Sequence, residues 1–141
     1  MKLDPLLILL NKNFVPDKKF FFVSGNEVTL MEKISSLILE KLKNERLINL
    51  SYIDSLGDYV NETSLFGEKK IYVVKNSKGI VEEKINELKN TDSIFIIIQE
   101  NSQKIKIIKK LFFRDRDSYL IDCYELDRAS KISILNVFLK D

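Results

Sequence analysis

The sequence predicts an α/β fold of three layers, with helices on both faces of a five-stranded, mostly parallel sheet. Five short apolar runs are separated by segments of helical periodicity, so that strands and helices alternate from end to end. With right-handed crossovers, such alternation produces a parallel sheet that helices cover on both sides. No linker, repeat or low-complexity tract interrupts the pattern. We therefore expect one domain over 1–141.

The predicted strands are runs of β-branched and aromatic residues, at 19–25, 48–55, 69–76, 93–100 and 118–126. The third and fourth runs are nearly continuous in apolar residues, which predicts burial on both faces. The second and fifth alternate more, as strands nearer an edge of a sheet do.

Helical periodicity fills the gaps between the strands, at 26–47, 80–90, 102–115 and 127–140. The last of these carries Ile132, Leu135 and Leu139 as its apolar positions. The opening segment MKLDPLLILLNKNF has a short apolar patch that Asp4 and Pro5 interrupt. Without a small-residue cleavage site, this segment does not predict a signal peptide, and it enters neither the strands nor the helices above.

Composition excludes several classes of site. With 45% hydrophobic and 31% charged residues, the 141-residue chain is predicted to fold rather than to be disordered. A net charge of +2 is too small to indicate a nucleic-acid or membrane partner. The absence of histidine excludes His-based catalysis, and a single cysteine, Cys123, excludes an internal disulfide. We expect no bound metal, and we expect Cys123 to be a small buried hydrophobic residue. We also expect a cytoplasmic location.

The first strand enters a helix through VSGNEVTLMEK, where a phosphate-binding loop would be expected. Counted from Gly25, its second Gly, Lys and Ser/Thr would fall on Leu30, Met31 and Glu32, and none matches. The residues at this degenerate phosphate-loop position are Ser24, Gly25, Asn26 and Glu27. The sequence thus indicates the architecture of a nucleotide-binding domain that lacks the phosphate-binding residues. We therefore expect no cofactor.

The sequence leaves two other functions open. A small nucleotide-dependent enzyme could bind phosphate around Ser24, Gly25 and Asn26 through backbone N–H groups at the start of the helix. A DNA-binding domain could use the basic segment 102–116, with Lys106, Lys109 and Lys110 as candidate contacts. Because acidic residues elsewhere nearly balance the charge, a solvated helix face is the favoured interpretation of these lysines.

Leu65 and Phe66 lie in the segment NETSLFGEKK, between a polar approach and the charged start of the third strand. We expect a short helix that ends near Gly67, with this pair in its last turn. Adjacent helical residues point about 100° apart, so both side chains do not easily enter one core. The spacing alone leaves core packing and anchoring of a partner protein equally open.

Three segments together, FFFVSGNEVTLMEKI, SLFGEKKIYVVKN and SIFIIIQENSQKIKIIKKLF, resemble the N-terminal domain of the delta subunit of bacterial DNA polymerase III. The individual motifs are short, and their order and spacing carry the resemblance, which extends from about Phe20 to the end of the chain.

The resemblance implies an AAA+-like fold of the P-loop NTPase class with a degenerate nucleotide site. It implies that Leu65 and Phe66, with Ser64 beside them, bind a hydrophobic pocket of the DNA sliding clamp and help to open the ring. The role would be mechanical, since other clamp-loader subunits bind and hydrolyse ATP. Contact with DNA would be indirect, and no membrane is involved. Family members continue into lid and collar domains, so we expect this chain to be an excised domain.

Overall fold

The computed structural model describes residues 2–11, 13–14, 16–45, 48–59, 69–77, 80–100, 105–124 and 128–139. Its strands are β1 (Lys2–Leu3), β2 (Phe20–Gly25), β3 (Ile48–Ile53), β4 (Lys69–Lys75), β5 (Ile94–Glu100) and β6 (Ser118–Cys123). Its helices are α1 (Pro5–Leu10), α2 (Val28–Glu45), α3 (Glu82–Lys89), α4 (Ile105–Arg114) and α5 (Arg128–Leu139), with a 3₁₀ turn at Leu56–Asp58.

The strands form one sheet in the order β1-β6-β2-β5-β4-β3, and every neighbouring pair is parallel. The predicted α/β class and the parallel sheet are therefore confirmed. Strand β2 pairs on both sides, with Phe20 opposite Phe95 of β5 and opposite Ser118 of β6. As predicted, β4 and β5 are buried over most of their length, and β3 lies at an end of the sheet.

Two hydrophobic cores lie on opposite faces of the sheet, and β2 supplies both. Because side chains alternate along a strand, Phe21 enters one core while Phe20 and Phe22 enter the other. The first core is closed by α1 and α2, whose buried residues include Ile8, Ile34 and Ile38. The second core is closed by α3 and α4, which contribute Ile85, Leu88, Ile105 and Phe112.

The prediction of five strands is wrong, because the described residues form six. The additional strand, β1, pairs with β6 through Lys2 and Leu3 alone, and two residues are too few to show an alternating pattern. Asp4 and Pro5, which interrupt the apolar patch in the sequence, start helix α1 instead. The Asp4 carboxylate accepts a hydrogen bond from the Leu6 amide at 2.9 Å, and Pro5 occupies the first helical position.

Helix α5 differs from its predicted packing. It lies beside α1, yet Ile132 and Leu135, two of its predicted apolar positions, are exposed. Periodicity identified a helix correctly here, but it does not say which neighbouring elements are present to cover an apolar stripe. In the part of the chain that the structure describes, no helix is long and apolar enough to cross a membrane.

The topology places one crevice at the carboxyl edge of the sheet. Strands β2 and β5 are neighbours, but α2 follows β2 on one face and α4 follows β5 on the other face. Open α/β sheets bind ligands at such a switch point, beyond the carboxyl ends of the two strands. Gly25 and Glu100 end the two strands and stand opposite each other there.

Replacing Phe112 with alanine is expected to lower the free energy of unfolding by about 3–5 kcal/mol, because the ring is fully buried and a cavity would replace it. The ring stacks on Phe22 with centroids 4.6 Å apart. Phe113→Ala, on the same helix, is the matched control. That side chain is 58% exposed, so we expect a loss of about 1 kcal/mol or less. Urea denaturation measures both variants, and equal losses would contradict this description of the second core.

Candidate functional site

The turn from β2 to α2 is tight. Only Asn26 and Glu27 lie between the end of the strand and the first helical residue. Gly25 has a φ of +142°, and a Cβ atom added to it would lie 2.0 Å from the carbonyl oxygen of Cys123. The same carbonyl accepts a hydrogen bond from the Glu27 amide at 3.2 Å. The close approach of two backbones therefore requires glycine at position 25.

Two polar groups of this turn that could contact a phosphate are already bonded within the protein. A phosphate-binding loop surrounds its ligand with free backbone N–H groups, whereas the Glu27 amide here already donates to Cys123. Ser24 is buried and donates its hydroxyl hydrogen bond to Asp122 at 3.0 Å. Of the four residues at the predicted degenerate position, Asn26 alone is exposed. These hydrogen bonds agree with the sequence, in which the residues after Gly25 do not match the phosphate-loop motif.

Asp122 holds a polar cluster beside this turn. Its Oδ1 lies 2.9 Å from the Lys109 ammonium of α4, and its Oδ2 lies 3.5 Å from the Lys2 ammonium of β1. Lys109 also donates to the Tyr124 hydroxyl at 2.8 Å. Burial alone would lower the pKa of Lys109, but the hydrogen bonds to Tyr124 and Asp122 outweigh burial, and the pKa is raised. The cluster ties α4 to β1, β2 and β6.

The three lysines predicted as DNA contacts therefore divide into two groups. Lys106 and Lys110 are exposed on the outer face of α4. Lys109 points toward β6, where Asp122 and Tyr124 occupy its ammonium group, so it does not share a surface with the other two. A helical period of 3.6 residues already separates positions 109 and 110 by about 100°. Spacing along the sequence does not indicate this ion pair, because Lys109 and Asp122 belong to different elements.

Cys123 is buried, as predicted, and it belongs to the first core. Burial raises the pKa of its thiol to about 12, and the neighbouring Asp122 carboxylate adds to this. A thiol with such a pKa stays protonated at neutral pH and is a poor nucleophile. The described residues also contain no group of three or more Cys, Asp or Glu side chains arranged to hold a metal ion.

On the other side of the crevice, Asn76 connects the ends of β4 and β5. Its backbone N–H donates a hydrogen bond to the Ile98 carbonyl at 2.7 Å. Its side-chain oxygen accepts a hydrogen bond from the Glu100 backbone N–H at 3.0 Å. Gln99 is 9% exposed and donates to the Ser77 carbonyl, while its own Oε1 atom has no hydrogen-bond partner. Among the described side chains, this is the one buried oxygen or nitrogen without a partner.

Sequence reasoning did not identify Asp122 as a central residue of this edge. One signal was available: Asp122 is a single carboxylate in the apolar run SYLIDC of β6. A charged residue inside such a run is rarely buried without a partner. The partners themselves, Ser24 and Lys109, could not have been found from spacing, because they come from two other elements.

Ser64, Leu65 and Phe66, the predicted clamp-binding residues, lie outside the described residues. Both ends of the segment that contains them are described. Before it, the Tyr59 ring packs edge-on against Tyr72 and Phe95, with centroids 4.9 and 5.2 Å apart. After it, Lys69 begins β4. The nine residues 60–68 are therefore joined at both ends to well-packed parts of the second core.

Comparison with known proteins adds no further identification. A scan against protein-family models finds no match, and a search of curated proteins likewise finds none.

Gly25→Ala is expected to lower the free energy of unfolding by about 2–4 kcal/mol, because the new methyl group would overlap the Cys123 carbonyl at a positive φ. Gly57→Ala serves as the control, since a Cβ there would meet only the Ser55 hydroxyl at 3.6 Å. We expect this second change to be nearly neutral. Chemical denaturation of both variants provides the test, and a neutral Gly25→Ala would show that the turn is wider than described.

Lys109→Met is expected to cost about 1–3 kcal/mol of stability at neutral pH, because Asp122 would lose its nearest cation. Lys110→Met, one residue further on the exposed face, should change stability by about 0.5 kcal/mol or less.

The pH dependence of that difference has a defined sign. The pKa of Lys109 is raised in the folded protein above the usual 10.5, so its stabilising contribution is fully present below that pH. The gap in unfolding free energy between wild type and Lys109→Met should stay constant from neutral pH upward and shrink as the pH rises above 10.5. A gap that disappears near neutral pH would contradict the ion pair.

Proposed function

We propose that this chain is a clamp-loader domain, similar to the N-terminal domain of the delta subunit of bacterial DNA polymerase III. In this proposal it binds the DNA sliding clamp through Leu65 and Phe66, with Ser64 beside them, and helps to open the ring during DNA replication. The observation that carries the proposal is the sequence SLFGEKKIYVV, which places the apolar pair directly before β4 of a parallel α/β sheet.

The surroundings of the pair support a role as an anchor. The chain enters the segment from Tyr59, which is held by two aromatic rings, and leaves it at Lys69 of β4. A segment with both ends attached to the core loses less conformational freedom on binding than a free tail would. Burial of Leu and Phe in a partner's pocket contributes roughly 1.5–3 kcal/mol for each side chain.

A mechanical rather than an enzymatic role also agrees with the turn after β2. The Glu27 amide donates to Cys123, and the Ser24 hydroxyl donates to Asp122, so neither is available to a phosphate group. We infer a P-loop NTPase fold of the AAA+ type with a degenerate site, in which other subunits bind and hydrolyse ATP. The proposal requires no cofactor and no metal in this domain.

The proposed partners follow from the same resemblance. The sliding clamp would bind this domain directly, while other clamp-loader subunits would bind lid and collar regions of a longer chain. DNA would be contacted only through the assembly, in the cytoplasm. The degenerate turn makes a nucleotide-dependent enzyme the weaker candidate function.

Calorimetric titration of the domain into the sliding clamp of the same organism tests the proposal. Replacing both Leu65 and Phe66 with alanine should weaken binding by two or more decades, since together they supply roughly 3–6 kcal/mol of apolar burial. Phe113→Ala is the matched control, because it removes an exposed aromatic ring that the proposal does not use. Its affinity should equal that of the wild type.

Thermal unfolding of the double variant separates loss of binding from loss of folding. If the double variant melts early, Phe66→Leu keeps an apolar side chain at that position but changes its fit to a pocket, and it should still weaken binding. Unchanged affinity in folded variants, or no binding by the wild-type domain, would overturn the proposal.

A further inference from the structure

A groove of about 310 Å³ lies between α3 and α4, on the face of the second core. Ile85 and Leu111 contribute its apolar floor, Glu82 lies on the α3 wall, and Arg114 lies on the α4 wall. Lys89 and Asp115 form an ion pair at 2.8 Å at the ends of the two helices. The groove is thus tied together at the carboxyl ends of the two helices.

The two walls carry opposite charges. Helix α4 contains no acidic residue, and its outer face presents Lys106, Lys110 and Arg114. Helix α3 presents Glu83 and Glu87 on its outer face. Glu83 and Glu87 are four residues apart, as are Lys110 and Arg114, so each pair forms a short row along its helix. Each helix follows a strand of one parallel sheet, so α3 and α4 run in the same direction.

Of these charges, Glu87 alone has an ion pair among the described residues, with Lys84 of its own helix at 3.5 Å. Glu82 and Arg114 line the same groove, yet they form no ion pair with each other, and none with any other side chain in the described part of the chain. Ile107, on the side of α4 that faces the groove by helical periodicity, is 68% exposed. The surface therefore combines two charged rows, in which Glu87 alone has a partner, with the exposed apolar side chain of Ile107.

A nucleic acid fits this surface poorly. Its phosphates would meet the basic row of α4 but would be repelled by the parallel row of Glu83 and Glu87. Exposed Ile107 offers no hydrogen bond or stacking face to a base. A protein surface with an acidic row and a basic row side by side matches the groove better. Its acidic row would face the basic row of α4, and its basic row would face the acidic row of α3.

This chain itself carries such a surface. A two-fold axis along the groove would place α3 of each copy against α4 of the other, so that every acidic row meets a basic row. An axis across the groove would instead oppose like charges. We propose that the α3–α4 face binds a second copy of this chain through the first arrangement. Interfaces between identical subunits are self-complementary in this sense, since each surface contacts its own copy.

Ile107 and its copy would come close to the axis in this arrangement, which adds apolar burial to the charge pairing. The contact area is small, because α4 has ten residues and spans about 15 Å. Interfaces below about 1,200 Å² of total buried area are generally weak and transient. We therefore expect a dimer with a dissociation constant of about 10⁻⁵–10⁻³ M at low ionic strength.

Sedimentation velocity of the full chain over three decades of protein concentration is the first test. At low ionic strength the weight-average mass should rise from monomer toward dimer. At about 0.5 M salt the dissociation constant should increase at least tenfold, because exposed charge pairs are screened.

Charge reversal then identifies the surface. Lys110→Glu with Arg114→Glu makes both rows acidic, and Glu83→Lys with Glu87→Lys makes both rows basic, so each double variant should stay monomeric. Combining all four changes exchanges the signs of the rows and should restore the dimer. Lys43→Glu reverses an exposed charge of α2, on the opposite face of the sheet. It controls for charge reversal elsewhere on the surface and should dimerise like the wild type.

Three results would overturn the proposal: a wild-type chain that is monomeric at every concentration, a dimer that both double reversals leave intact, or a fourfold variant that stays monomeric while circular dichroism shows it folded. Binding of a labelled oligonucleotide that Lys110→Glu with Arg114→Glu abolishes, without any dimer in the wild type, would assign the basic row to nucleic acid instead.

Discussion

The pairing of β2 with strands on both of its sides is the constraint on which the rest of the structure depends. Every residue of Phe20–Gly25 is buried, so its backbone groups have no access to water and must bond to β5 and β6. Three consecutive phenylalanines then fill two cores, because their side chains alternate across the sheet. The helices on each face pack against surfaces that this one strand helps to create.

The same strand determines the chemistry at its carboxyl end. Since β2 pairs with β6 as far as Gly25 opposite Cys123, the chain leaves the sheet against the β6 backbone and turns at once into α2. Only Asn26 and Glu27 separate the strand from the helix. Polar side chains at this edge bond to one another, with Asp122 between Ser24 and Lys109. This edge therefore carries a packed polar cluster that joins α4 to the sheet.

The proposed functions use two different parts of the molecule. The residues proposed to bind the clamp belong to the segment between Tyr59 and Lys69, whereas the proposed contact between copies uses the outer face of α3 and α4. The second of these uses exposed side chains, and changes in them leave the two cores undisturbed.

The sequence by itself determined the alternation of strands and helices, the burial of β4 and β5, the buried state of Cys123 and the failure of the phosphate motif. These follow from local patterns, since hydrophobic periodicity and motif spacing are read within ten or twenty residues. It missed β1 and α1, because a two-residue strand and a six-residue helix show too little periodicity. Tertiary structure alone decided the sheet order, the partners of Asp122 and the exposure of Ile132 and Leu135. Each of these depends on contacts between different elements of the fold. A local sequence pattern does not identify which element lies beside a carboxylate or covers an apolar stripe.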